Sequence, residues 1–207
     1  MIYLLIGAIF VMVDFNITSA YPYIIGVIPD FIGYIFLLIG FLKIHRESVK
    51  FKKMVLPSVL MIVVSAAEYI LNASGVIRAL TGAPVVLFSI VGNVLALVII
   101  FNIIEGFKTV ESERGCGLKT NLMYKFYFPW AIFTAIDVVM TISSPDGVES
   151  MTSDIALIAQ GLTVAAAIGF NVVLFLAIKK FNSLPAKEEP EPEPETADVK
   201  RSWKDQL

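Results

Sequence analysis

The sequence predicts an all-α fold: a polytopic transmembrane bundle of about six helices, set as three outward-pointing hairpins with both termini cytoplasmic. Three observations predict it. Of the 207 residues, 57% are hydrophobic and only 16% charged, and mean hydropathy is +0.79; soluble domains use roughly 45–50% apolar residues. Apolar runs of about 18 or more residues, each able to cross a hydrocarbon core ~30 Å thick, recur along the chain. Basic residues, finally, accumulate on one side, as they do in cytoplasmic loops.

The apolar runs fall at 1–15, 22–44, 54–71, 84–107, 122–142 and 155–178. Lys43, Arg46, Lys50, Lys52 and Lys53 separate the second run from the third. Lys108, Arg114, Lys119 and Lys125 separate the fourth from the fifth, and Lys179, Lys180, Lys187, Lys200, Arg201 and Lys204 follow the sixth. Fifteen of the sixteen positive residues therefore share a side, with Arg78 alone opposite. The expected location is the cytoplasmic membrane of a bacterium, with the lipid bilayer as the principal partner. The first run has no positive n-region, and Asp14 and Asn16 interrupt it before Ser19 and Ala20, which argues against a cleaved signal peptide.

The first hairpin is irregular. Met1 to Asp14 accounts for about 20 Å of helix, and so does Asp30 to Lys43. With Lys43 at the inner boundary, Asp30 lies roughly 10 Å below the outer one. The segment between, "FNITSAYPYIIGVI", is expected to dip into the outer leaflet as an interrupted or re-entrant piece, the alternative being a kinked continuous helix. Pro22 and Pro29 supply the breaks, and Pro29 at the first helical position would restart the second helix. Asp30 would then face the free N–H groups of that start.

Two parts divide the chain: a helical membrane domain, 1–181, and an acidic Pro/Glu-rich cytoplasmic tail, 182–207, expected to be disordered. The tail holds seven of the eighteen acids, and its "EEPEPEPE" at 188–195 favours an extended, self-repelling spacer. Residues 186–207 are also the expected contact for a protein partner. Loops between the runs are short, leaving no room for a soluble catalytic domain.

Candidate site residues follow from the cost of charge in a bilayer, where an ionisable side chain is a functional hypothesis by default. Asp30, Glu68 and Asp137 lie inside the runs, with Asp14 near the outer surface. They are the expected ligands for a proton, a small cation or a cationic solute. Close carboxylates would raise one another's proton affinity. The bland alternative is a helix-start role for Asp30, and hydrogen bonds from Glu68 and Asp137 to neighbours such as Asn93, Gln160, Asn171 or Tyr69. Glu105 is set aside as an interfacial ion pair with Lys108.

Each odd run carries an acid (Asp14, Glu68, Asp137) and each even one a glycine (Gly33, Gly92, Gly161), expected to admit close helix packing. The acid-to-glycine separation is 24 residues in the second and third hairpins and 19 in the first, which suggests a threefold repeat. Cys116 is the single cysteine, so no internal disulfide forms. His45 and Cys116 have no companions at metal spacing, and no phosphate loop, G-x-S-x-G or H-E-x-x-H is present. No metal, cofactor or nucleic acid is expected, nor enzymatic activity. An intramembrane hydrolase using Asp30 and Asp137 is the residual enzyme alternative, without the motifs of presenilin-like proteases around those acids.

The stretch from "FVMVDFNI" through "IPDFIGYIFLLIGF", with Asp14, Asn16, Pro29, Asp30, Phe31, Ile32, Gly33 and Tyr34, resembles uncharacterised small multi-pass membrane proteins of Gram-positive bacteria. The likeness covers about the first 45 residues. It implies a bacterial membrane protein with a six-helix-like fold and no assigned activity. Two functions fit the sequence: a proton- or cation-linked small-solute carrier or channel-like protein, and a non-catalytic accessory (sensor, immunity or assembly factor) acting through helix contacts and its acidic tail.

Overall fold

The computed structural model describes residues 1–13, 16–18, 24–26, 29–74, 83–143 and 153–185. Asp14 and the tail from 186 onward lie outside the described residues. Within them the chain is helical apart from one small ribbon. In order come α1 (Ile2–Met12), β1 (Asn16–Thr18), β2 (Ile24–Gly26), α2 (Asp30–Ile44) and the five-residue α3 (Val49–Lys53). Then follow α4 (Val55–Ala73), α5 (Ala83–Arg114), α6 (Thr120–Ser143) and α7 (Ser153–Asn182).

The segments Val49–Leu71, Ile90–Arg114 and Gly161–Asn182 are long and apolar enough to cross a membrane. Helices α1 and α2, with 11 and 15 residues, reach only about 16 and 22 Å. Neither matches a ~30 Å core by itself. The predicted second span over 22–44 is therefore corrected: its helix begins at Asp30, and Ile24–Gly26 pairs antiparallel with Asn16–Thr18. The cause is local. Proline offers no amide to a helix, and the β-branched residues of 16–18 and 24–25 suit an extended backbone. Asn16–Thr18 and Ile24–Gly26 are thus extended instead of helical, which agrees with the interrupted alternative.

Consecutive helices pack side by side, and α1 also packs on α7, so the order α1, α2, α4, α5, α6, α7 closes on itself. Fully buried Leu4, Ala8, Leu37, Ile99, Ile103, Ala167, Phe170 and Leu174 fill the interior of this ring. Short α3 lies against α2 and α5. Its Phe51 is fully buried between Phe41 (ring centroids 6.4 Å) and Phe107 (5.6 Å), and Phe107 meets Phe181 at 6.1 Å. These four rings, one each from α2, α3, α5 and α7, stop the end of the bundle where the basic loops gather.

Outward faces are apolar instead of polar. On α4, Leu56, Val59, Leu60, Val63 and Ile70 are exposed, at helical spacing. Exposed Leu87, Val91, Val94 and Val98 continue the pattern on α5, and Phe128, Ile132, Ile136 and Val139 on α6. Contiguous apolar surface of this extent is untenable in water.

The α1–α2 contact is very close. A Cβ on Gly7 would stand 2.7 Å from both the Gly33 carbonyl oxygen and the Leu37 nitrogen, and one on Gly33 2.6 Å from Phe10 Cβ. Gly33 is thus a packing glycine, as expected. At Gly92 and Gly161 an added Cβ would meet nothing within 4 Å among the described residues, so these two glycines make no close packing contact there. This removes the glycine half of the predicted threefold correspondence.

Candidate functional site

Asp30 is the first residue of α2, with Pro29 at the N-cap (φ −64°, ψ 130°). Proline is thus one position earlier than predicted. Its carbonyl accepts from the Ile32 amide at 3.0 Å, and no side chain caps the helix. The Asp30 carboxylate lies in the first turn, where the partial positive charge of the helix start favours an anion. Asp30 is exposed.

One turn on, Tyr34 is 4% exposed. Helices α2 and α4 pack together. The residues following the two acids confirm the register, because the Phe31 and Tyr69 rings meet edge to face at 5.9 Å. Glu68 is half-buried in the C-terminal half of α4. Asp30 and Glu68, each one residue before these rings, therefore lie on adjoining helices. The sequence reading used Tyr34 only as part of a resemblance, although its position four residues after Asp30 puts it on the same helix face.

Asp137 lies in α6, with its side chain outside the described residues, as is Asp14 altogether. Asn171, suggested as a partner for Glu68 or Asp137, donates from its amide to the Ala167 carbonyl at 2.9 Å and lies 4.0 Å from Met12 Sδ; its relation to Asp137 lies outside the described residues. Tyr69 engages Phe31 instead of an acid through its ring.

The opposite end of the bundle is a polar scaffold. Glu105 pairs with Lys108 at 3.7 Å, as expected, and accepts a hydrogen bond from the Tyr124 hydroxyl. The Glu111 carboxylate accepts from the Leu118 amide (2.8 Å) and from the Thr120 hydroxyl, closing the turn into α6. That turn also holds Gly115 and Lys119 at φ of 59° and 60°. A shallow groove of about 410 Å³ lies along Glu105, Lys108, Thr109, Ser112 and Glu113. Among the described residues no three His, Cys, Asp or Glu side chains cluster as a metal site. No family model matches the chain, and neither a curated protein nor a solved structure does.

Proposed function

We propose that the chain is a multi-pass membrane protein, three helical hairpins with both termini inside, that binds a proton, small cation or cationic solute from the outer side. Asp30 and Glu68 hold the ligand beside Tyr34. Asp137 and Asp14 complete the proposed ligand set. The reading is supported by the packing of α2 on α4 and the Phe31–Tyr69 ring contact, which set Asp30 and Glu68, the residues before those rings, on adjoining helices near buried Tyr34. Two carboxylates at close range repel each other, and a proton or cation between them relieves that repulsion. The ribbon of Asn16–Thr18 and Ile24–Gly26 also fits, since irregular segments at membrane depth line cavities instead of facing lipid. The fifteen-to-one distribution of basic residues supports the orientation. The motif resemblance to small membrane proteins of Gram-positive bacteria supports a bacterial cytoplasmic membrane.

The test is proton and sodium flux into liposomes carrying the purified chain. Wild type is expected to exceed empty liposomes, and Asp30→Asn and Glu68→Gln each to lose most of the excess. Both variants flowing like wild type, with thermal melting unchanged, would sink the proposal.

A further inference from the structure

The acidic tail begins beside a basic corner of the bundle. Arg114, at the end of α5, donates to the Pro185 carbonyl at 2.9 Å and to the Glu47 carboxylate in the α2–α3 turn. Its guanidinium also lies 5.6 Å from the Phe181 ring centroid. One side chain therefore holds the end of the described backbone against the turn that leads into α3. Residue 188 is three residues beyond Pro185, a reach of about 10 Å at full extension.

The turn and α3 are strongly positive. Lys52 and Lys53 are exposed and Lys50 is half-buried, while Phe51 anchors the helix in the core. Glu47, the acid of the turn itself, is engaged by Arg114. The chain beyond Pro185 carries "EEPEPEPE" at 188–195, five acids in eight residues. Alternation with proline keeps such a segment extended at about 3.1 Å per residue, with little chain entropy left to lose on docking.

We propose that residues 188–195 dock on this corner, with Glu188, Glu189 and Glu191 against Lys50, Lys52 and Lys53. Tethering favours the tail over other anions, since a short linker holds it at an effective concentration of about millimolar. The contact is electrostatic and weakens with salt. Docked, the tail screens the lysines from anionic headgroups and covers the aromatic plug beneath α3. This inference stands independently of any transported ligand.

The test is zero-length carbodiimide cross-linking of the full chain in nanodiscs of mixed neutral and anionic phospholipid, read by peptide mass spectrometry. Light and heavy isotope-labelled copies are mixed. Expected are bridges from 188–195 to Lys50, Lys52 or Lys53 within one copy, falling several-fold at high salt. The Glu105–Lys108 pair, 3.7 Å apart, is the internal control. A Glu105–Lys108 bridge with none from the tail to α3 overturns the proposal and leaves the corner to lipid headgroups. Bridges only between light and heavy copies, or yields indifferent to salt, overturn it as well.

Discussion

At the residue scale, glycine divides into two kinds that the sequence does not distinguish. Gly7 and Gly33 admit the backbone of a neighbouring helix, and any Cβ there meets main-chain or Cβ atoms that have no room to retreat. Overpacking of this kind costs about 1–3 kcal/mol. Gly92 and Gly161 have open space beside them, so alanine gains helix propensity of about 0.5–1 kcal/mol. Gly7→Ala and Gly33→Ala are therefore expected to lower the midpoint of thermal unfolding in detergent, and Gly92→Ala and Gly161→Ala to keep or raise it. An equal loss at all four positions would show that the glycines share one packing role after all. The sequence marked Gly33, Gly92 and Gly161 by a common spacing from an acid, which says nothing about what a neighbouring helix places opposite. Asp30 was legible for the converse reason: a charge beside a proline inside an apolar run has few physical explanations.

At the element scale, α3 shows how five residues close one end of the bundle. Ser48 accepts from the Lys50 amide at 3.2 Å and starts the helix, and Phe51 is the single side chain of α3 that is buried. Gly106 on α5 makes the space, since a Cβ there would stand 2.2 Å from the Phe51 ring. Phe51→Ala should cost about 3 kcal/mol by leaving a cavity. Gly106→Ala should also destabilise, but the double variant should be less unstable than the sum of the two, because the ring that clashes is gone. Chemical denaturation of the three variants checks this, and strict additivity would contradict the contact. Hydropathy gave α4, α6 and α7 within four residues at each end because they are long and apolar, and it stopped seven residues short of Arg114 on α5, where charged residues continue the helix. It overran at Ile24–Gly26, where β-branched residues ahead of Pro29 favour a strand over a helix. It missed α3, whose lysines hide one buried phenylalanine.

At the scale of the whole molecule, packing of α1 on α7 closes the helix order, apolar side chains cover the outside, and polar chemistry concentrates at the two ends. One end holds the ion pairs and caps that fix the loops: Glu47 with Arg114, Glu105 with Lys108, and Glu111 with the start of α6. The other holds Asp30, Tyr34 and Glu68. Asymmetry of charge along the chain made the first end legible in the sequence. The second was legible only as separate acids, since the pairing of α2 with α4 depends on three-dimensional packing. The central claim is that Asp30 and Glu68 serve one ligand. Proton flux into liposomes, measured for Asp30→Asn, Glu68→Gln and the double variant, tests it most directly. Acids sharing a site act as a unit, so the double variant should be no slower than the slower single one. Multiplying losses in the double variant would contradict a shared site.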